Sequence, residues 1–227
     1  ADGYESVYEE VPAAELMAQN RYSVEHVVPR SKIDDASDAE TDTGGTDTNT
    51  DNLEAVQLTN NVATGTILGG STESGTLTVV STLGGISQTG ALDVDGVSSF
   101  TTSADDALIT LTQASNALSG AVTLVSTDTD TDNVEAVQLT NSIATVLAAN
   151  TESGTLTVIS GGDITQTGAL TVGGASSFTT SADDAVITLT QASNALSGAV
   201  TLVSTDTDAD NAEAVQLTNS SARVLEA

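Results

Sequence analysis

ITLTQASNALSGAVTLVSTDTD occupies residues 109–130 and returns unchanged at 187–208. Within it, Ile109 and Leu111 alternate with Thr110 and Thr112, and Val122 and Leu124 flank Thr123. Apolar and polar residues taking turns over a short run mark a strand with one face buried, and the Ser, Asn and Gly between the runs mark turns. Thr, Val and Ile are the branched residues that a pleated surface accommodates best.

Outward from this stretch the repetition continues. EAVQLTN stands at 54–60, 135–141 and 213–219, so the periods are 81 and 78 residues. SSFTTSADDA stands at 98–107 and 176–185, and SGTLTV at 74–79 and 153–158. Units therefore begin near 52, 133 and 211, two of them full and the third only opened. The three-residue difference falls between Val62 and Gly75 and between Ser81 and Ile86, where turns are expected to absorb it. No stretch from 52 onward carries the 3.6-residue period of a helix.

Many short strands, a long repeat and almost no aromatics predict an all-β solenoid, a parallel β-helix built from repeats of about 80 residues. At roughly 20 residues per coil each unit is expected to hold about four coils. Val, Ile and Leu would stack inward, Phe100 and Phe178 would both point into the core, and Thr and Ser would face water. A pair of Ig-like sandwiches is the other all-β arrangement, but such domains usually bury a Trp or Tyr, and neither occurs after Tyr22.

Composition divides the chain of 227 residues. Residues 1–34 hold every Tyr, Pro, Met and His and three of the four basic residues. They read as a short, partly helical segment, with Pro12 ahead of AAELMAQN as a helix start. Residues 35–51, rich in Asp, Thr and Gly, read as an acidic linker, and 52–227 as the solenoid. The net charge of -28, with one base after residue 34, speaks against nucleic-acid binding by the repeats, because phosphates need Lys or Arg to neutralise them. The absence of Cys excludes a disulfide scaffold, and there is no apolar run long enough for a transmembrane segment. A lyase or hydrolase on the solenoid is not expected either, since residues 35–227 offer Arg223 and no Tyr or Trp.

GGDITQTGALTVGGASSFTTSADDAVITLTQASNALSGAVTLVS (161–204) resembles the strand repeats of very large bacterial exoproteins, the filamentous-haemagglutinin-like and autotransporter-type adhesins. The resemblance covers about three quarters of the chain. It implies a right-handed parallel β-helix, export to an extracellular or bacterial cell-surface location, and a stalk, filament or adhesive role without catalysis. Its partners would be a cell-surface or glycan target and a second copy of the chain, associating through the open C-terminal coil. Residues 1–34 would cap the other end. The lack of an initiator Met and of a signal peptide is read as processing or excision from a longer chain.

Tyr22 to Ser31 contains Glu-His-Val-Val-Pro at 25–29, which is similar to the core of endonuclease I and related His-Asn-His nucleases. That resemblance implies His26 as general base, Glu25 as magnesium ligand, and the alternative of a secreted, magnesium-dependent endonuclease on a repeat stalk. The match covers about ten residues, and no second His follows.

An acidic pattern recurs with the repeat. Asp47, Asn49 and Asp51 become Asp128, Asp130 and Asp132, then Asp206, Asp208 and Asp210, each run followed by Glu54, Glu135 or Glu213. Alternating carboxylates gather the hard oxygen ligands that calcium prefers. The pattern starts like an EF-hand loop, but it lacks the central Gly and ends on Leu139 or Leu217. Calcium held by these residues is one expectation and a solvated acidic turn is the other. Asp105–Asp106 and Asp183–Asp184 are read as turns. Outward Thr pairs such as Thr110/Thr112 and Thr155/Thr157 could order water as ice-binding ladders do, but the uneven strand spacing argues for plain strand surface.

Overall fold

A computed structural model describes residues 24–25, 55–127, 134–205 and 213–221. These residues form a parallel β-solenoid, and no helix occurs among them. Each turn of the chain lays a strand on the one below. Leu77 stacks on Ser98, Ser98 on Val122, Ile109 on Val137 and Val137 on Leu156. Every strand pair is parallel except one, which excludes the sandwich arrangement.

Alternation along each strand sorts side chains between core and water. Thr76–Ser81 and Ala121–Ser126 bury every second residue. Inward residues of successive turns then line up in columns. Val79, Phe100 and Leu124 are in register in the first sheet, and Leu111, Leu139, Val158, Phe178 and Leu202 in the second. Phe100 and Phe178 are both fully buried, as the repeat predicts. The column in the second sheet crosses from one unit into the next, so the two units share one core.

The corners explain the three missing residues. The turn at 61–65 is matched by a shorter one at 142–144, and 82–85 by 161–163, with the strands on either side preserved. Glycine columns let the chain pass close to itself: Gly75, Gly96 and Gly120 in one unit, Gly154, Gly174 and Gly198 in the other. A Cβ on Gly120 would lie 2.2 Å from the Gly96 carbonyl oxygen, so no larger residue fits there.

The expected four coils per unit need correction. The first sheet advances in seven steps from Ala55–Asn60 to the equivalent Val215–Leu217, a passage through two units. One unit is therefore three and a half turns. In the first unit the long strands Ala55–Asn60, Thr76–Ser81, Ser98–Thr102 and Ala121–Ser126 belong to the first sheet. The short ones lie in the second sheet (Thr66–Leu68, Ile86–Gln88, Ile109–Leu111) and the third (Ser71–Glu73, Leu92–Val94, Ala117–Leu118). In the second unit the long strands Ala136–Asn141, Thr155–Ser160, Ser176–Thr180 and Val200–Val203 belong to the second sheet. Their short partners, including Thr145–Leu147 and Asn150–Glu152, continue the first. Straight and kinked faces of the solenoid thus change places between Ser126 and Ala136.

In the segment ahead of the solenoid, Val24–Glu25 is a strand. It pairs antiparallel with the outer edge of Ala55–Asn60, Val24 opposite Leu58 and Glu25 opposite Gln57. The helix expected after Pro12 and the linker lie outside the described residues. Among the described residues no helix is long and apolar enough to cross a membrane.

Candidate functional site

The polar residues inside the solenoid fall at its corners. Gln88 and Asn116, on successive turns, bond to each other twice: Gln88 Nε2 donates to Asn116 Oδ1 at 2.8 Å and Asn116 Nδ2 to Gln88 Oε1 at 2.9 Å. Asn116 also accepts from the Leu92 N–H and donates to the Leu111 and Thr140 carbonyls. Gln166 and Asn194 repeat the arrangement, with Leu170, Leu189 and Thr218 as the backbone partners. Asn141 does similar work at the unit boundary, accepting from the Leu118 N–H and donating to the Leu118 carbonyl. Where a kinked corner leaves ladder groups without a strand above, an amide side chain supplies both the donor and the acceptor. These brackets are structural, and the sequence offered no signal for them beyond the repeated Gln and Asn.

The acidic residues separate into three groups. Asp106 and Asp184 adopt left-handed backbone conformations, with φ of 54° and 56°, and are turn residues as expected. Asp47, Asp51, Asp128, Asp130, Asp132, Asp206, Asp208 and Asp210 lie outside the described residues, as does His26. The strands beside these runs are described. The chain passes from the first sheet to the second after Ser126, and from the second to the first after Val203.

Glu135 and Glu152 form the third group. Glu135 enters the long strand Ala136–Asn141, and Glu152 ends the short strand Asn150–Glu152 one turn above. Glu152 stacks over Ser126, the Ser153 N–H donates to the Ser126 carbonyl at 3.0 Å, and the Thr155 N–H donates to the Glu135 carbonyl at 2.9 Å. The two glutamates thus stand at the two ends of one corner on adjacent turns, Glu152 over Ser126 and Glu135 beneath the Gly154–Thr155 peptide. Both are buried, at 0% and 1% exposure, and neither carboxyl group has a hydrogen-bond partner on either oxygen. Burial alone pushes the Glu152 carboxyl well above its ordinary range. Glu213, the repeat equivalent of Glu135, is half-buried with one oxygen unpartnered. Glu135 belongs to the acidic pattern read from the sequence. Glu152 does not, because Thr151-Glu152-Ser153-Gly154 has the look of an exposed turn. The signal that could find it is its two-residue spacing from Asn150, which shares its inward face.

Among the described residues no three His, Cys, Asp or Glu side chains cluster as a metal centre would require. Glu135 and Glu152 offer hard carboxyl oxygens, but two carboxyl groups alone do not make a coordination shell.

No curated protein and no solved structure matches the chain. A family described as repeats of unknown function (DUF5649) matches residues 53–125 and 134–203. The interval between the matches holds the acidic run at 128–132, so the family's unit is the block of strands and the acidic run joins one block to the next. Together the two matches cover more than half of the chain, which belongs to the DUF5649 repeat family.

Proposed function

We propose that this chain is a non-enzymatic structural segment of an extracellular or cell-surface protein, a stalk or filament section that carries or presents an adhesive surface. The observation that supports this reading is the unbroken core. Seven turns at about 4.8 Å each make a rod roughly 34 Å long, and its inward columns run through the unit boundary without interruption. Such a structure lengthens by adding units, each contacting only its neighbours. Its outer strands carry Thr, Ser and Gln in register, as at Gln57, Thr78, Ser99 and Thr123. The charge of -28 keeps such rods apart in solution.

Surface labelling tests the location, and a cleavage assay tests the absence of catalysis. Antibodies to residues 134–205 are expected to label intact cells of the source organism, and labelling only after permeabilisation would overturn the extracellular role. Incubation of the full chain with supercoiled plasmid and magnesium is expected to leave the plasmid intact. Nicking that disappears in His26→Ala would establish the nuclease instead.

A further inference from the structure

We propose that Glu135 and Glu152 are ligands of a calcium ion held at the corner where the second repeat unit stacks on the first. The proposal goes beyond the structural role and holds whether or not the chain is exported. It starts from an electrostatic deficit. Four carboxyl oxygens are buried at one corner without a hydrogen-bond partner, a situation that is strongly unfavourable for a charged group unless it is paired or neutralised. No Lys, Arg or His occurs between Lys32 and Arg223, and Asn150 Nδ2, on the same inward face as Glu152, is a buried donor that makes no hydrogen bond. A cation from solution would supply the missing charge. Hard carboxylate oxygens favour calcium, which accepts six to eight oxygens in variable geometry and takes carbonyls and water alongside carboxylates.

The other copy of the corner sharpens the point. Glu73 is the repeat equivalent of Glu152, and Ser71 the equivalent of Asn150. At Glu73 the Ser71 hydroxyl donates to one carboxyl oxygen, and the side chain is only half-buried. At Glu152 that hydroxyl is gone. Asn150 instead turns its Oδ1 to the Leu124 N–H at 2.8 Å. The inner corner has thus exchanged a hydrogen-bonded carboxylate for a fully buried one with both oxygens free. A cation-binding corner needs those oxygens free.

Calorimetric titration of the chelator-treated full chain with calcium chloride at neutral pH tests this, together with thermal melts followed by circular dichroism. Saturable binding is expected, with a melting midpoint raised more than by sodium chloride at matched ionic strength. The double variant E135Q/E152Q should lose both responses while keeping the β-sheet spectrum. Asn150→Ser retains both acids and places at 150 the residue already tolerated at 71. It should keep the β-sheet spectrum, with a lower melting midpoint because the Leu124 N–H loses its acceptor, and bind calcium more weakly, because the hydroxyl competes for a carboxyl oxygen. Glu73→Gln should leave binding unchanged. An unaltered calcium response in E135Q/E152Q, or one abolished by D128N/D130N/D132N but not by E135Q/E152Q, would move the ion elsewhere and overturn the proposal. So would a wild-type chain indifferent to calcium.

Discussion

The two repeat units present the same strands on opposite faces. Phe100 sits in the first sheet between Val79 and Leu124, and Phe178 in the second between Val158 and Leu202. The brackets Gln88–Asn116 and Gln166–Asn194 likewise have matching bonds in different places along the rod. Local environments are therefore copied while the frame around them turns. The exception is the corner that begins each unit, where Glu73 keeps a hydroxyl partner and Glu152 has none. A repeat of this kind conserves what one turn needs from the next. It is free to vary where one unit meets another.

The largest effects should come from the core. Phe100→Ala and Phe178→Ala each remove a fully buried ring and should cost about 3–5 kcal/mol, read by denaturant or thermal unfolding. Nearly equal losses would confirm that the two environments are energetic copies. A loss at one position less than half that at the other would break the equivalence.

Next come the brackets. Asn116→Ala and Asn194→Ala strand buried donors and acceptors of the ladder, among them the Leu92 and Leu170 N–H groups. Each should destabilise by roughly 1–3 kcal/mol, again in equal measure. Amide hydrogen exchange should accelerate first at Leu92 in one variant and at Leu170 in the other.

The corner carries a pH signature that distinguishes the units. Glu152 has its carboxyl pKa raised by burial, so the folded state holds its proton more tightly than the unfolded state does. The stability linked to this group is fully present below the unfolded value near 4.5 and is lost as pH rises through the higher folded value. Glu135 shares the corner, while Asp105 and Asp106 stand exposed on the turn below. In calcium-free buffer the midpoint should therefore fall between pH 4.5 and neutrality. Glu152→Gln should flatten that fall and stabilise the chain at pH 7 by about 1–3 kcal/mol, the scale of one unpaired buried polar group. A profile in Glu152→Gln that falls as steeply as in the wild type would erase the distinct character of this corner.

Outward positions should matter least. Thr157→Ala and Thr78→Ala, on opposite faces, should each change stability by no more than about 0.5 kcal/mol. A larger effect at either would identify that face as more than solvated strand surface.

Period-two alternation and the identical blocks at 109–130 and 187–208 determined most of the architecture by themselves. One inward residue in two makes a half-buried strand, and a core too narrow for Tyr or Trp makes a solenoid rather than a sandwich. The inward Phe pair and the placement of the missing residues in corners followed from the same logic. Turn length did not follow, because a strand's neighbour is chosen by the arc that connects them. Those arcs range from the two residues between Glu152 and Thr155 to the long junction after Ser126. An estimate of about 20 residues per coil therefore gave four coils where three and a half are formed. The acidic pattern was visible because it is contiguous, whereas Gln88 reaches Asn116 and Glu152 meets the corner of Glu135 only once the turns have stacked. Tertiary structure alone decided which polar residues lie inside, since burial at a corner depends on the turn above it, and that turn is some twenty residues away along the chain.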